Sequence, residues 1–228
     1  MTERQVKSRQ RVEQFGEVYT AEREVNAMLD LVKQETERID SRFLEPACGE
    51  GAFLTEILRR KLAAAKKASV PPRRKTVVPD SYEANAVRAV MSIYGVELLE
   101  DNTTACRQNL FDIWDAEYTA NMKKSANDLC RDVVRYILRK NILCGDALTM
   151  RQTDGTPIIF AEWSFIDSYR VRRRDYRLDQ LLVPEAKPSD PDNLTMEGWE
   201  YDPETKAFIP GPLREYPITD YRRVAQYE

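Results

Sequence analysis

Residues 43–54 combine two glycines with an acidic residue in a pattern typical of a ligand-binding turn. The stretch reads Phe43-Leu44-Glu45-Pro46-Ala47-Cys48-Gly49-Glu50-Gly51-Ala52-Phe53-Leu54. Apolar residues lead into Glu45, the chain turns through Gly49 and Gly51, and an amphipathic run follows, which predicts a strand, a tight turn and a helix. Glycine lets backbone approach a ligand closely, and a helix start favours anions. The added carboxylate of Glu45 therefore favours a ligand that carries both a cation and a carboxylate, such as an amino-acid moiety.

An ordinary strand–turn–helix corner without a ligand is the alternative interpretation of this stretch. The dinucleotide-binding fingerprint matches poorly, because it requires a third glycine. The stretch resembles the S-adenosyl-L-methionine (AdoMet) motif of the DNA adenine-N6 methyltransferases, in which an acid and a proline precede a small pair, Gly-x-Gly and an aromatic residue. The resemblance implies that the matching residues bind AdoMet, and these are Glu45, Pro46, Ala47, Cys48, Gly49, Gly51 and Phe53.

A second motif precedes the first. Residues 21–38 have the apolar spacing of one helix, and Thr20 is its predicted N-cap. The apolar residues of the predicted face are Val25, Met28, Leu29 and Val32. Residues 16–20 resemble the family's N-terminal motif, where an aromatic-Thr pair folds over the methionine end of AdoMet, which implies that Tyr19 and Thr20 close over the cofactor. The family usually has proline next, whereas this chain has Ala21.

Two further apolar runs, residues 92–97 and 141–148, predict strands that end in an acid. At the end of such a strand in AdoMet and dinucleotide sites, an acid like Glu97 accepts hydrogen bonds from the ribose hydroxyls. Asp146 follows a glycine, and taken alone this pair is more often a turn. In the family the equivalent carboxylate lies at the exocyclic amine of the AdoMet adenine. The resemblance adds to the cofactor site these acids and the residues beside them, Glu97, Leu98, Asp146 and Ala147.

Alternation of strands and helices predicts an α/β fold. Helical patterns follow Gly51 and cover residues 101–139. The predicted apolar face of the latter consists of Leu129, Val133, Val134 and Ile137. The resemblance implies a Rossmann-like AdoMet methyltransferase core over residues 1–166, with an incomplete sheet because too little chain remains to finish it. Residues 167–228 are predicted to be a basic segment and a C-terminal loop and hairpin extension, with a linker at 183–195 and the hairpin at 199–209.

The family's target-base motif is missing. In the family, the strand predicted at residues 157–160 leads into Asn-Pro-Pro followed by Tyr or Phe. The Asn side chain and a Pro carbonyl accept hydrogen bonds from the adenine amine, and the aromatic residue stacks on the base. Base chemistry on duplex DNA requires such a pocket. Here the chain reads Ala161-Glu162-Trp163-Ser164-Phe165. The candidate catalytic residues are therefore Glu162, as an acceptor, and Trp163, as a stacking ring. The alternative is that Trp163 and Phe165 belong to the core or to an interface.

Arginines are interspersed with aromatic residues at 169–177. The run Arg172-Arg173-Arg174 is the candidate nucleic-acid contact, because guanidinium groups pair with phosphates and aromatic rings stack on bases. A solvated run of charges is the alternative. The net charge of −3 gives the whole molecule no electrostatic reason to bind nucleic acid, so any contact must come from a local patch such as this one.

Composition bounds the class of protein. Of 228 residues, 32% are charged and 42% hydrophobic, as in a globular protein. No apolar run reaches the length of a membrane span and the N-terminus does not begin a signal peptide, so we expect a cytoplasmic protein without membrane contact. Histidine is absent, which excludes imidazole general-base chemistry. The four cysteines form no C-x-x-C pair and predict reduced thiols, and we expect no metal.

The motifs between residues 15 and 148 follow the family's order and favour one hypothesis. The chain is predicted to be an AdoMet-dependent DNA adenine-N6 methyltransferase or a methylase subunit of a restriction–modification system. It would act on DNA, with restriction–modification subunits or a second methylase polypeptide supplying the target-base pocket. Two alternatives remain: a non-catalytic AdoMet-binding scaffold or sensor in a DNA-modifying complex, and a small-molecule or RNA methyltransferase.

Overall fold

The computed structural model describes residues 10–11, 13, 20–181, 199–202 and 207–227. Helices and strands alternate in its first part, in the order α1 (Glu22–Asp30), α2 (Lys33–Thr36), β1 (Phe43–Glu45), α3 (Ala52–Ala68), α4 (Pro79–Met91), β2 (Ile93–Glu97), α5 (Glu100–Met122), α6 (Asp128–Asn141) and β3 (Ile142–Asp146). The later elements are β4 (Arg151–Gln152), β5 (Ile159–Phe165), β6 (Arg170–Arg177), α7 (Leu178–Leu181), β7 (Trp199–Asp202), β8 (Ala207–Pro210), β9 (Arg214–Glu215) and β10 (Thr219–Asp220).

The first sheet contains β1, β2, β3 and β4 in that order. Strand β2 pairs in parallel with both β1 and β3, whereas β4 runs antiparallel to β3. Among the described strands β1 pairs with β2 alone, so it forms an edge of the sheet. The protein is thus a mixed α/β fold whose sheet has parallel and antiparallel strands, and the predicted α/β class is confirmed.

The second sheet has the order β10-β6-β5, and β9 also pairs with β6. It packs against the first sheet through Tyr94, whose hydroxyl donates to the Ala161 carbonyl at 3.0 Å and whose ring meets Phe160 edge-on at 5.4 Å. Strands β5 and β6 pair along their length, from Ile159 opposite Arg177 to Phe165 opposite Val171. The division drawn from the sequence after residue 166 therefore falls in the loop of a hairpin.

The predicted helix over residues 21–38 forms two helices, α1 and α2. The N-cap of α1 is Ala21 and not Thr20 as predicted, and no side chain caps this helix. Val32 lies outside α1, because the helix ends at Asp30. Of the predicted apolar face, Val25 and Leu29 are buried, whereas Met28 and Val32 are exposed.

The helical region predicted at residues 101–139 also divides into two helices, α5 and α6. A 3-10 turn at Lys123–Ser125 separates them, and Asn127 caps α6 by accepting a hydrogen bond from the Cys130 N–H at 2.9 Å. The predicted face of α6 is buried at Val133, Val134 and Ile137, but Leu129 is exposed. Leu129 therefore departs from the buried stripe, whereas its neighbour Cys130 is buried.

The C-terminal region contains the predicted hairpin, since β7 and β8 pair antiparallel. Its turn at 203–206 and the predicted linker at 183–195 lie outside the described residues. The described chain ends in a 3-10 segment, Tyr221–Gln226. Within the described residues, the helices lack the combined length and apolar character needed to cross a bilayer.

A buried carboxylate attaches the C-terminal segment to the helical layer. Glu83 of α4 accepts hydrogen bonds from the Tyr118 hydroxyl at 2.6 Å, the Tyr221 hydroxyl at 2.9 Å and Arg222 Nε at 2.9 Å. Burial acts to raise the pKa of Glu83, but the bonds from these three partners outweigh it and hold the pKa below its ordinary value. The ionised carboxylate thus joins α4, α5 and the final segment.

Candidate functional site

Three acidic residues end the neighbouring parallel strands β1, β2 and β3. Glu45 is the last residue of β1, Glu97 of β2 and Asp146 of β3. Glu45 pairs with Gly95, which is two residues before Glu97. Glu97 in turn pairs with Cys144, which is two residues before Asp146. Because parallel strands end at one edge of a sheet, this register brings the predicted acids to the same edge.

The turn after β1 requires both of its glycines. Gly49 has φ +54° and Gly51 has φ +95°, a region that other residues adopt only with strain. A Cβ on Gly51 would lie 2.9 Å from the Sγ of Cys106, whereas a Cβ on Gly49 would meet no atom within 4 Å. Gly51 is the N-cap of α3, so the turn directs the start of this helix toward the strand ends, and Gly49 borders open space.

Glu97 joins the glycine turn to the start of α5. Its side chain is buried, and Oε2 accepts a hydrogen bond from the Gly49 N–H at 2.9 Å. Oε1 accepts from the Leu99 N–H at 3.1 Å and from the Asn102 amide at 3.4 Å. A carboxylate offers about four lone-pair sites. Glu97 therefore retains acceptor capacity while it fixes the turn.

A cleft of about 640 Å³ opens beside the glycine turn. Among the residues predicted to bind the cofactor, those that line it are Thr20, Glu45, Ala47, Cys48, Gly49, Gly51 and Phe53. Five others from that prediction do not line it: Pro46, Glu97, Leu98, Asp146 and Ala147. Glu97 nevertheless touches it through its bond to Gly49. Apart from Pro46, which follows β1, the predicted residues that the structure describes thus divide into a set inside the cleft and a set at the adjoining ends of β2 and β3.

The cleft has a second wall that the sequence did not assign to the site. It comes from the loop and first turns of α3 and from one face of α5, and its members are Glu50, Ala52, Thr55, Arg59, Asn109, Asp112 and Ile113. The amide of Asn109 donates to the Glu50 carbonyl at 2.9 Å, which holds α5 against the turn. The spacing of Asn109, Asp112 and Ile113 places them on one face of a helix, and this was the available signal in the sequence. That this face lines the cleft follows only from the packing of α5 against α3.

Burial changes the ionisation of groups around the turn. Desolvation raises the pKa of Glu45, against the weaker opposing effect of the Ala47 N–H. The pKa of the Cys48 thiol is also raised, first by its hydrogen bond to Cys106 and then by burial. Both cysteines are buried free thiols. Cys48 is therefore a neutral packing residue of the turn.

The end of β3 is more open than the end of β2. Oδ1 of Asp146 accepts the Leu148 N–H at 2.8 Å in a tight turn. Leu148 is 92% exposed, Leu98 is 48% exposed, and Ala147 packs against the core. Apolar surface therefore flanks the Glu97 and Asp146 carboxylates.

Arg11, near the N-terminus, contacts this edge. Arg11 forms an ion pair with Asp101 at 2.7 Å and donates to the Asn102 side chain at 3.3 Å. Asn102 in turn contacts Glu97. Thr20 lines the cleft, whereas Tyr19 lies outside the described residues.

The structure corrects the proposed catalytic pair. Trp163 is buried, and its indole N–H donates to Asn141 Oδ1 at 2.9 Å, so its ring packs in the core and is not available to stack on a base. Glu162 forms ion pairs with Arg42 and with Arg174, the latter at 3.0 Å. Burial acts to raise the pKa of Glu162, but Ser164 and the two arginines lower it overall. Neither residue lines the cleft beside the glycine turn.

The structure also separates the proposed arginine run. Arg173 is 6% exposed; it forms a two-pronged ion pair with Asp175, both bonds at 2.8 Å, and donates to the Tyr136 hydroxyl at 2.6 Å. Side chains alternate across a strand, so Arg172 and Arg174 point to the opposite face of β6. The expectation of three accessible guanidinium groups was wrong for Arg173, because the strand places it in the core.

No family model, curated protein or solved structure matches this chain. Within the described residues, histidine, cysteine and acidic side chains form no group of three or more that could hold a metal ion.

Proposed function

We propose that this chain is the AdoMet-binding subunit of a DNA adenine-N6 methyltransferase of the restriction–modification kind, and that a second polypeptide completes its target-base pocket. The observation that carries the proposal is the row of Glu45, Glu97 and Asp146 at the ends of three neighbouring parallel strands, beside a positive-φ glycine turn. Ligands of α/β sheets bind outside the carboxyl ends of their strands. The fold is interpreted accordingly as a Rossmann-like core with an incomplete sheet.

The methionine end of AdoMet suits the cleft. Glu45 would accept the α-ammonium group, and this pairing would offset the desolvation that raises the pKa of its carboxyl group. The open space at Gly49 would admit the ligand against the backbone. Thr20, on the cleft wall, would cover it. This donor and acceptor set matches the cation and carboxylate of an amino-acid moiety.

The adenosine end suits the ends of β2 and β3. Glu97 retains acceptor capacity for the ribose hydroxyls. Asp146 uses Oδ1 for the Leu148 N–H, and its Oδ2 accepts no hydrogen bond from the described residues, so that oxygen is available to the exocyclic amine of adenine. Leu98 and Leu148 supply exposed apolar surface for the ring faces.

When bound, AdoMet supplies a methyl group from its sulfonium for in-line transfer to an amine. This chain's residues would contribute orientation and electrostatics, without a covalent intermediate. They would bind the cofactor and hold it at the strand ends.

Recognition of the target base is assigned to a partner. Glu162 is ion-paired and Trp163 is buried, so neither is free to bind an adenine. A partner would pair with the edge of strand β1 that faces away from β2. The Phe43 N–H bonds to the Ser92 carbonyl on the β2 side, so the backbone N–H and C=O of Leu44 point to the opposite edge. Leu44 is also 44% exposed.

The second candidate is a non-catalytic AdoMet-binding scaffold or sensor. The ion pairing of Glu162 and the burial of Trp163 favour it, because they leave the chain without a target-base pocket of its own. The two functions differ in one assay, in which the purified chain is incubated with labelled AdoMet and unmethylated duplex DNA, alone and with the products of adjacent genes. The methylase-subunit proposal predicts label in adenine only when a partner is present. Efficient methylation by the chain alone would contradict the need for a partner, and AdoMet binding without methylation in any mixture would favour the scaffold.

A further inference from the structure

A second cleft, of about 580 Å³, lies at the opposite edge of the first sheet. Arg42 immediately precedes β1 and Ser92 immediately precedes β2, so the cleft is at the amino ends of these strands. Its lining consists of Asp40, Arg42, Arg88, Met91, Ser92, Trp163, Ser164 and Phe165. It shares no residue with the lining of the glycine-turn cleft, so it is a separate place on the molecule.

Arg88 is the feature of this cleft that requires an explanation. Its Nε is buried without a hydrogen-bond partner, and within the described part of the chain its guanidinium forms no hydrogen bond or ion pair. The group lies over the Phe165 ring, 4.3 Å from the centroid, which fixes its position. Leaving a buried donor unpaired is costly, and a charged one more so, which favours a ligand on this guanidinium.

The neighbouring polar groups define what that ligand is. The guanidinium of Arg42 lines the same cleft and donates one hydrogen bond to Glu162. The hydroxyl protons of Ser92 and Ser164 are already donated, to main-chain carbonyls and to Glu162 respectively. Available donors therefore come from the two arginines.

Asp40 is the carboxylate facing the cleft. It is exposed, with its carboxylate 3.7 Å from Arg38. It forms no direct ion pair with Arg88, but its charge partly opposes the lowering of the Arg88 pKa by burial. A guanidinium fork matches phosphate or carboxylate oxygens, and two forks at one cleft favour an anion with several acceptor oxygens.

We propose that this cleft binds a phosphorylated small molecule, with its phosphoryl group between Arg88 and Arg42 and its organic part beside Phe165. The volume is within the range of about 300–1,000 Å³ that is typical of small-molecule sites and exceeds what a bare phosphate fills. The recessed position suits a free metabolite better than a nucleic-acid backbone, which requires an extended basic stripe.

Calorimetric titration with pyrophosphate and with ribose 5-phosphate tests the proposal, because neither ligand contains adenine and saturating S-adenosyl-L-homocysteine (AdoHcy) blocks the glycine-turn cleft against them. The wild-type chain should bind at least one of them, with or without saturating AdoHcy. Arg88→Met should weaken binding at least about tenfold, and Arg88→Lys should recover part of the loss. Arg42→Met, at a more exposed position, provides a second variant if Arg88→Met does not fold, as judged by circular dichroism.

Arg135→Met is the matched control, since Arg135 also lies over a ring, at 4.0 Å from the Phe111 centroid, but pairs with Asp132. It should bind as the wild type does. Absence of binding at millimolar ligand, equal affinity in the wild type and both cleft variants, or an equal loss in Arg135→Met would overturn the proposal. Arg88-dependent binding of duplex DNA without binding of either small phosphate would overturn the small-molecule assignment.

Discussion

The backbone N–H of Gly49 donates a hydrogen bond of 2.9 Å to Oε2 of Glu97. The bond joins the turn after β1 to the end of β2, across 48 positions in the sequence. Because Oε1 of the same carboxylate accepts the Leu99 N–H, one side chain sets the glycine turn and the start of α5 relative to each other. Preorganisation of the proposed cofactor site therefore depends on Glu97 as well as on the glycines.

Glu97→Gln should loosen this arrangement. Each carboxylate oxygen now accepts a hydrogen bond from a backbone N–H, and glutamine would place an NH₂ group against one of these donors. The lost hydrogen bond should lower the unfolding free energy by about 1–3 kcal/mol. AdoHcy affinity should fall about tenfold or more for the same reason. Urea denaturation and calorimetry measure the two effects. Glu100→Gln, an exposed position at the start of α5, is the control, and equal behaviour of the two variants would refute a role for Glu97.

The two turn glycines should respond differently to alanine. Gly49→Ala should cost about 1–2 kcal/mol through its positive φ alone, and its Cβ should reduce AdoHcy affinity by projecting into open space. Gly51→Ala should cost about 1–3 kcal/mol more, because its Cβ would also lie 2.9 Å from Cys106 Sγ. Adding Cys106→Ala should restore part of the stability of Gly51→Ala and none of that of Gly49→Ala. Equal restoration in both backgrounds would contradict the packing described.

Sequence patterns predicted the strands that carry the acids, because each is a short apolar run ending at Glu45, Glu97 or Asp146. They missed α4, whose buried residues lie on most of its circumference, so that no polar stripe marks it as a helix. Its burial against neighbouring helices comes from the tertiary fold.

The arginine run shows a second limit of sequence patterns. Residues Arg172 to Arg174 read as one charged patch, but a strand exposes every other residue. Arg173 and Asp175 are on one face at i and i+2, and this spacing was the available signal for a buried ion pair. Trp163 likewise required knowledge of Asn141, which is distant in sequence.

Glu83→Gln should make the protein less stable at neutral pH and less sensitive to acid. The folded-state pKa of Glu83 is below its ordinary value of 4.5, so its contribution is present above that value and is lost as the pH falls through the lower, folded-state pKa. Denaturation at pH 7 and at about pH 4 should therefore give a smaller stability difference for the variant than for the wild type. An identical pH dependence in the two proteins would contradict the ionised network around Tyr118, Tyr221 and Arg222.

If the chain contacts DNA through β6, Arg172 and Arg174 should carry the effect without Arg173. Replacing both with glutamine should flatten the slope of log affinity against log salt by about two units, since each neutralised phosphate contributes about 0.9. Arg173→Lys should leave that slope unchanged and lower the unfolding free energy by about 1–3 kcal/mol through the weakened pair with Asp175. A salt slope that changes with Arg173→Lys and not with the double substitution would reverse this assignment.

Calorimetric titration of the folded wild-type chain with AdoHcy tests the central claim most directly. The account predicts one site per chain, with affinity reduced at least about tenfold by Glu45→Gln and by Asp146→Asn, each of which removes one charge at a strand end. Asp112→Asn, on the α5 wall of the cleft, should have a smaller effect. A folded wild-type protein that binds neither AdoHcy nor AdoMet would contradict the account, as would binding that both strand-end substitutions leave unchanged.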